Sequence, residues 1–424
     1  MTLDQVIPIL LGEVQNSIGP QALSIVINLS PILLVVALFF IAWPIWVKYV
    51  RAKFFFSQKY VLLEIRLPKD VFKSPQAMEL FLTSLHQTGG EGTWYNKYWL
   101  GMTRSWFSLE MISVEGQVKF FIWMRAANKN FTESSLYAQF PGIEITEKDD
   151  YARTVHSEPS ENGIWACELQ LTKEDAYPIK TYIDYKLDKD PKEEFKVDPL
   201  APFLEYLGSV GPNQQVWIQI LVRAHKKEAR LAGHLWKTTD RWKDDAYVII
   251  NKILLRNAKT KVAGEENPET GFSKMPSITS GEKDIVEAIE RSLTKQAFDV
   301  GIRCVYIAKN GFFNPSNIGG ILGSFKQFST EHLNGFRPNS DYFHAQYDYP
   351  WQDYKNIRRN RWSKMALMAY KRRSYFYPPF ERRGFVLNTE ELATIFHFPG
   401  QVAGTPTLSR IPSKKSEAPT NLPI

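Results

Sequence analysis

The sequence has few of the residues that build metal sites and disulfide frameworks. Only two of its 424 residues are cysteines, Cys167 and Cys304. Two thiols without Cys-x-x-Cys spacing form neither a zinc site nor a disulfide framework. Both lie in apolar, strand-like runs, so we expect buried, reduced thiols. The seven histidines contain no His-Glu-x-x-His motif, and His397, which lies among aromatic residues, is predicted to be structural or to lie at an interface.

Catalytic motifs are also missing. No Gly-x-x-x-x-Gly-Lys-Ser/Thr loop is present, so the chain lacks the amide cradle and the lysine of a P-loop ATPase. The glycines of residues 317–323 (NIGGILG) are better explained by a helix that packs closely on a sheet. No Gly-x-Ser-x-Gly, His-Arg-Asp or Asp-Phe-Gly motif occurs. We therefore predict a protein that is not an enzyme, with no catalytic residues, no cofactor and no metal.

Charge is missing from one long stretch near the N-terminus. Residues 14–47 carry no charged side chain, and their dense apolar centre exceeds the roughly 20 residues that a helix needs to cross a bilayer. A cleaved signal peptide fits poorly, because Asp4 and Glu13 are the only charges before the run and a signal peptide begins with basic residues. We predict a transmembrane helix, with a buried core helix as the alternative.

The flanks of this run predict its orientation. Trp43 and Trp46 lie at its C-terminal end, where an aromatic belt is expected, and Lys48, Arg51 and Lys53 follow. Basic flanks stay in the cytoplasm. We therefore predict a single-pass protein of the inner (plasma) membrane, with its N-terminus outside and its bulk in the cytoplasm.

Beyond the span, the apolar period alternates between that of strands and that of helices. The first unit has the order β-α-β-β-α-β, which is the ferredoxin-like arrangement, with Glu115-Gly116 as a hairpin turn. A second unit repeats strand, helix, strand, helix and strand, interrupted by a polar insertion. The predicted fold class is α+β: a single transmembrane helix followed by two ferredoxin-like (βαββαβ-type) units. The predicted segments are an extracytoplasmic N-terminus (1–22), the transmembrane helix (23–47), the first unit (58–150), the second unit (160–335) with its insertion (226–283), a basic helical segment (350–398) and an extended linker (400–424).

Basic residues are concentrated near the C-terminus. Residues 355–383 hold ten of them and one acid, a net charge of +9 in a chain whose total is +7. Aromatic residues, among them Trp362, Tyr370 and Tyr375, are interleaved. This pattern fits nucleic acid, anionic lipid headgroups or an acidic partner, and a solvated helix face is the further alternative. The candidate binding residues are Lys355, Arg358, Arg359, Arg361, Lys364, Lys371, Arg372, Arg373, Arg382 and Arg383.

Four stretches together resemble one bacterial family. They are residues 62–86 (LLEIRLPKDVFKSPQAMELFLTSLH), 106–145 (WFSLEMISVEGQVKFFIWMRAANKNFTESSLYAQFPGIEI), 198–220 (DPLAPFLEYLGSVGPNQQVWIQI) and 385–423, which begins FVLNTEELATIFHFPG. The sequence is similar to the uncharacterised membrane-anchored region that precedes HerA-like, type IV secretion coupling ATPases. Because this sequence ends where the ATPase would begin, the motor is expected on a separate chain, unless the sequence is a fragment.

The resemblance implies a non-catalytic, membrane-anchored component of a type IV secretion or conjugation-like apparatus. Its implied partners are the inner membrane, a separately encoded P-loop ATPase, DNA and further copies of itself. Two alternatives stay open. One is a membrane-surface scaffold for pilus or envelope assembly without nucleic acid, and the other is an enzyme with an unrecognised site.

Overall fold

The chain is described by a computed structural model that covers residues 3–68, 74–155, 162–188, 197–227, 229–230, 238–259, 279–339, 349, 351–399 and 410–411. Contacts within the chain separate two units. The first comprises Met1–Gln58 and Gly90–Thr103, and the second comprises Lys59–Gly89 and Arg104–Ile424.

The first unit consists of a long helix and a short one. Helix α1 (Leu3–Ser57) includes a stretch, Leu29–Ser57, that is long and apolar enough to cross a membrane. Most side chains along this stretch are exposed, and its most apolar part buries none within the protein, so it is not the core helix of this chain. Helix α3 (Trp94–Tyr98) is the second element of the unit.

The second unit contains the remaining elements. In chain order they are β1 (Tyr60–Pro68), α2 (Pro75–Ser84), β2 (Trp106–Val114), β3 (Gln117–Arg125), α4 (Lys129–Gln139), β4 (Glu144–Lys148), β5 (Asn162–Leu171), α5 (Ala201–Gly208), β6 (Gln214–Ala224), β7 (Ala229–Arg230), β8 (Thr238–Thr239), α6 (Arg241–Lys259), α7 (Ser280–Leu293), β9 (Ala297–Lys309), α8 (Ser316–Ser324), β10 (Phe336–Pro338), α9 (Ile357–Lys371), β11 (Phe385–Asn388), α10 (Thr389–Ile395) and β12 (Arg410–Ile411).

Ten of these strands form one sheet. Its order is β10-β5-β9-β6-β2-β3-β1-β12, with β4 also paired to β1 and β11 to β9. The pairings are antiparallel except that of β1 with β12. The α+β prediction is therefore confirmed as a mixed α and β protein with an antiparallel sheet. The two predicted units share that sheet, because β2 pairs with β6 along its full length.

The predicted hairpin turn lies between β2 and β3. Glu115 and Gly116 both have positive φ, at 52° and 83°, as a tight hairpin turn requires. A Cβ atom on Gly116 would lie 2.8 Å from the carbonyl oxygen of Gly208. Glycine at this position therefore permits both the turn and the close approach of α5.

One face of the sheet is apolar and is covered by helices. Helices α2, α4, α5, α8 and α10 contribute to its core. Cys167 and Cys304 face each other across β5 and β9, and both are buried, free thiols, as predicted. Gly320 of α8 lies so close to the ring of Tyr206 that a Cβ atom would be 2.3 Å from it. Of the glycines in the NIGGILG run, Gly320 therefore serves close packing, and its neighbour is a ring of α5.

The opposite face is covered by α9 and by residues 372–384, which we call the strap. The ring of Tyr375 in the strap packs on Gly301 of β9. After the strap the chain enters β11 and then α10, which begins with a capping box. The side chain of Asn388 accepts from the backbone N–H of Glu391, and the carboxylate of Glu391 accepts from the N–H of Asn388.

The insertion was predicted only as a polar, charged segment, and that prediction was incomplete. It contains the 19-residue helix α6, whose Ala246, Ile249 and Ile250 pack with Ile289 of α7. Residues 264–271 (GEENPETG), which their composition predicts to be a loop of the insertion, lie outside the described residues. Most of the predicted linker 400–424 also lies outside them, and Arg410–Ile411 pairs with β1.

We expect substitution of Gly301 by alanine to destabilise the fold. The new Cβ atom would lie 2.3 Å from the Tyr375 ring, and overpacking of this kind costs about 1–3 kcal/mol. Gly319→Ala is the matched control, because nothing lies within 4 Å of its Cβ position. Thermal unfolding of both variants checks this, and equal stability of Gly301→Ala and the wild type would show that the strap does not pack here.

Candidate anionic-surface site

The first half of α9, with Lys355 just before it, presents most of the exposed residues of the predicted basic cluster. Lys355, Arg358, Arg359, Arg361 and Lys364 are all exposed, and α9 itself contains no acidic residue. The second half of the helix carries the residues that bury it, Ala366, Leu367, Ala369 and Tyr370. The helix is thus held at one end and presents cationic side chains at the other.

A buried carboxylate occupies the N-terminus of this helix. Asp353 accepts hydrogen bonds from the backbone N–H groups of Arg358 and Arg359, at 2.7 and 3.0 Å. Lys355 and Asn356, which lie between Asp353 and the start of α9 in the chain, have positive φ angles of 52° and 58°. Because Asp353 satisfies these amides, an external anion would be bound by side chains rather than by the helix terminus.

Exposed aromatic residues precede the basic half of α9. Tyr349, Trp351 and Tyr354 are 54%, 76% and 70% exposed, and Ile357 is 61% exposed. The rings of Tyr349 and Trp351 stack with centroids 4.8 Å apart, and the Lys355 ammonium lies 5.3 Å from the ring of Tyr354. Together with the exposed basic residues they form a surface that we call the α9 patch, residues 349–364. The sequence identified its charges but not its aromatic part.

Three residues in the second half of the predicted cluster, Lys371, Arg373 and Arg382, are structural, which corrects their sequence-based assignment. Arg373 is buried, with 1% of its surface exposed, and Tyr370, Tyr375, Phe376 and Tyr377 are buried with it. Tyr370 belongs to α9 and the other three rings to the strap, and because all four are buried they cannot stack on bases. Arg382 is half-buried beside Glu168, and Lys371 donates to the carbonyl of Val155. Of the remaining predicted residues, Arg372 and Arg383 are exposed.

Arg373 belongs to a row of buried polar side chains that crosses the middle of the sheet. Glu168, Arg303, Gln219 and Glu110 are register partners on β5, β9, β6 and β2. Arg303 donates to Glu168 at 2.6 Å and to Gln219 at 3.1 Å. Gln219 donates to Glu110 at 3.1 Å. All four are at most 1% exposed, so each depends on the others for its hydrogen bonds.

The strap supplies the charges that balance this row. Arg373 donates to both carboxylate oxygens of Glu110, at 2.9 and 3.2 Å, and it also binds Asp150. Arg382 lies 3.5 Å from Glu168. Burial alone would raise the pKa of Asp150, but the hydrogen bonds and charge of Arg373 outweigh it and hold that pKa below its usual value.

We expect Arg373→Gln to destabilise the protein strongly while Arg372→Gln does not. Removing Arg373 leaves Glu110 buried without its counter-charge, and breaking such a pair costs about 3–5 kcal/mol. Arg372 is the adjacent, exposed residue of the same charge. Chemical denaturation of both variants tests this, and equal midpoints would show that Arg373 is not a structural ion pair.

A second ionic cluster lies where the insertion leaves the sheet. His225, at the end of β6, contacts Asp299 through Nδ1 at 2.6 Å and Asp240 through Nε2 at 3.2 Å. Arg223 also binds Asp299, at 2.7 Å. Because both ring nitrogens are engaged by carboxylates, the geometry fits a charged, structural imidazolium rather than a catalytic base.

The pKa of His225 reflects these neighbours. Burial lowers it, but the hydrogen bonds and charges of Asp299 and Asp240 outweigh burial and raise the pKa above its usual value. Other charged or titratable groups close by include Arg104, near Asp299, together with His86 and Asp175. A histidine with a raised pKa stabilises the folded state below the unfolded pKa, and the stabilisation is lost as pH rises through the folded pKa.

We therefore expect the stability difference between the wild type and His225→Gln to be largest below pH ~6.5 and to shrink as the pH rises above it. Thermal unfolding across about pH 5.5 to 9 measures it. His332→Gln, at an exposed histidine, is the control. A difference that is constant over this range would mean that His225 is not charged in the fold.

His397 is buried, with Nδ1 3.0 Å from the carbonyl of Ala393 and Nε2 3.1 Å from Asp198. This agrees with the structural role predicted for it.

A cleft of about 480 Å³ lies beside the β2–β3 turn, and its lining includes Glu115, Asn213 and Lys309. Among the described residues, no group of His, Cys, Asp and Glu is arranged to hold a metal ion. The prediction that the chain is not an enzyme stays a prediction.

Comparison with known families assigns the chain to one of them. Residues 56–410 match the family described as "Domain of unknown function (DUF8128)". The chain belongs to this family. The match covers both the α9 patch and the strap, so both lie within the DUF8128 region. No curated protein matches the chain.

Two of the solved structures that match are oligosaccharide oxidases. One is a chitooligosaccharide oxidase, at 11% identity and a TM-score of 0.27. Another is a xylooligosaccharide oxidase from Myceliophthora thermophila C1 in complex with xylobiose, at 10% identity and a TM-score of 0.28. Each match covers 84% of this chain and 56% of the oxidase, so the chain spans about half the length of these structures. TM-scores this low give no basis for assigning oxidase chemistry to the chain.

These comparisons correct the function expected from the sequence. A component of a type IV secretion or conjugation-like apparatus was predicted, but the matching family has no described function and the two structures named above are oligosaccharide oxidases. The prediction of a secretion component is therefore corrected, because none of these comparisons supports it. The partners expected with it, a separately encoded ATPase, DNA and further copies of this chain, stay predictions.

Proposed function

We propose that this DUF8128 protein is a membrane-tethered, non-catalytic protein whose α9 patch binds the phosphate groups of anionic lipids. The observation that carries the proposal is the composition of the patch. Five exposed basic side chains, four exposed aromatic or aliphatic ones and no exposed acid occupy residues 349 and 351–364. Basic and aromatic side chains together favour the headgroup region of a bilayer.

The tether in this proposal is α1. It spans the inner membrane with its N-terminus outside, because Lys48, Arg51 and Lys53 follow the apolar run and basic flanks stay in the cytoplasm. Strand β1 begins at Tyr60, three residues after α1 ends at Ser57. The tether therefore holds the second unit at a high effective concentration of lipid, which favours lipid over a soluble ligand.

The positive charge of the α9 patch contributes several kcal/mol to its binding of anionic lipid. Each basic residue near an anionic membrane contributes about 1 kcal/mol, so five contribute on the order of 5 kcal/mol before the loss of side-chain freedom. Lys355, Arg358, Arg359, Arg361 and Lys364 supply this charge. Such attraction weakens with salt, because the exposed charges are screened.

We also infer that each half of the sheet is a ferredoxin-like unit. In the first half, β1-α2-β2-β3-α4-β4 has the spatial order β4-β1-β3-β2, and in the second, β5-α5-β6-β9-α8-β10 has the order β10-β5-β9-β6. If the four strands of each half are numbered in chain order, both halves have the spatial order 4-1-3-2. This shared order supports a duplication of one unit. The second strands of the two halves, β2 and β6, pair at the centre, where Glu110 lies opposite Gln219.

The test uses the full-length protein in nanodiscs of phosphatidylcholine, alone or mixed with phosphatidylglycerol. Hydrogen exchange is measured in the peptides that cover residues 351–364. We expect slower exchange there when phosphatidylglycerol is present, and loss of the effect in high salt. A variant with Arg358, Arg359, Arg361 and Lys364 replaced by glutamine is expected to show no slowing.

The control variant removes the same charge elsewhere in the second unit. Arg241, Lys252, Lys283 and Lys326 are exposed basic residues, and their replacement by glutamine leaves the effect of phosphatidylglycerol intact if the α9 patch is the site. Equal exchange in both lipid compositions would overturn the proposal. Slowing by duplex DNA in neutral nanodiscs, without an effect of phosphatidylglycerol, would make nucleic acid the ligand instead.

A further inference from the structure

A cluster of aromatic side chains surrounds the C-terminal end of the apolar run of α1. Trp43 lies with its ring centroid 6.4 Å from that of Trp94, 5.5 Å from Tyr98 and 6.2 Å from Trp99. Trp46 lies 5.7 Å from Trp99. Helix α3 and the residue after it are therefore held against α1 at the level where its apolar run gives way to Lys48.

Backbone geometry fixes this attachment. The indole N–H of Trp46 donates to the carbonyl of Tyr98 at 3.0 Å. Gly101 has a φ of 64°, and a Cβ atom on it would lie 2.4 Å from the backbone carbonyl of Val50. Only glycine permits this contact with α1. Thr93 caps α3 by accepting from the N–H of Asn96.

The outer side of this attachment is apolar and uncovered within the described part of the chain. Trp94, Tyr95, Trp99 and Leu100 are 61%, 54%, 45% and 45% exposed. Residues 90–103 carry two charged side chains, those of Glu91 and Lys97. An exposed patch of this kind is unusual in water and marks a surface that contacts a partner or a membrane.

We propose that residues 94–100, the aromatic collar, form a membrane-interface element that inserts into the boundary between lipid headgroups and acyl chains. The occupant is lipid because the collar is attached to Trp43 and Trp46, at the end of the span itself. Tryptophan and tyrosine favour this depth, since each has an apolar ring and a polar group. The collar rests on the proposed span of α1 and adds a second contact with the same leaflet.

The collar has a mechanical consequence. A single helix slides and tilts in a bilayer until its flanking residues reach the interface. Attachment of α3 widens the aromatic belt on one side of α1 and fixes the depth of that end. The collar differs from the α9 patch in how it would bind lipid. It inserts apolar rings, so we expect its binding to be insensitive to salt, whereas binding by the α9 patch weakens with salt.

The test places a single fluorescent label by cysteine substitution in the full-length protein, since both native cysteines are buried. Tyr95→Cys reports the collar, Val36→Cys reports the middle of the span and Tyr247→Cys, on α6, reports an exposed tyrosine of the second unit. Each labelled protein is placed in phosphatidylcholine nanodiscs with lipids that carry a quencher at shallow or deep positions.

We expect shallow quenchers to quench the label at Tyr95→Cys several-fold more than at Tyr247→Cys, and deep quenchers to act most on Val36→Cys. Quenching at Val36→Cys without quenching at Tyr95→Cys would overturn the collar and leave the span intact. Absence of quenching at Val36→Cys would overturn the span itself, and the collar with it.

Discussion

The ion pair between Arg373 and the carboxylates of Glu110 and Asp150 is the interaction on which the second unit depends. One face of the sheet is buried by apolar helices, and the other is buried by the strap and α9. The face covered by the strap and α9 carries the row of charged and polar side chains, which are therefore buried away from water. An unpaired buried charge costs several kcal/mol, so the strap closes over the row only by bringing Arg373 and Arg382 with it. Ionic balance across the row therefore sets where the strap lies.

This balance also divides the basic residues of the C-terminal segment into two classes. Arg373 and Arg382 are used within the fold, whereas Arg358, Arg359 and Arg361 are exposed on α9. The same helix is anchored by its buried C-terminal half and presents charge at its N-terminal half. The α9 patch is thus a consequence of how the strap is held, and changes that release the strap would also disturb the patch.

Strand and helix periods in the sequence correctly predicted a mixed α and β fold, and Glu115-Gly116 correctly predicted the hairpin turn between β2 and β3. The division of the basic cluster was not predictable from charge alone, because net charge does not distinguish a paired arginine from a solvated one. A signal was nevertheless present. Glu110 and Arg303 lie among mainly apolar residues in the middle of their strands, and a charge in a buried strand requires a partner. The partner of Glu110 is Arg373 in the strap, which lies far along the chain, so only tertiary folding brings the two side chains together. Helix α6 was missed because its polar face dominates its composition.

A double-mutant cycle between Glu110 and Arg373 tests the account most directly. The free energy of unfolding is measured by chemical denaturation for the wild type, Glu110→Gln, Arg373→Gln and the double variant. The account predicts that the double variant is less destabilised than the sum of the single variants, with a coupling energy above about 1 kcal/mol. Additive effects, within about 0.5 kcal/mol, would contradict it, because they would show that the two side chains do not depend on each other in the folded protein.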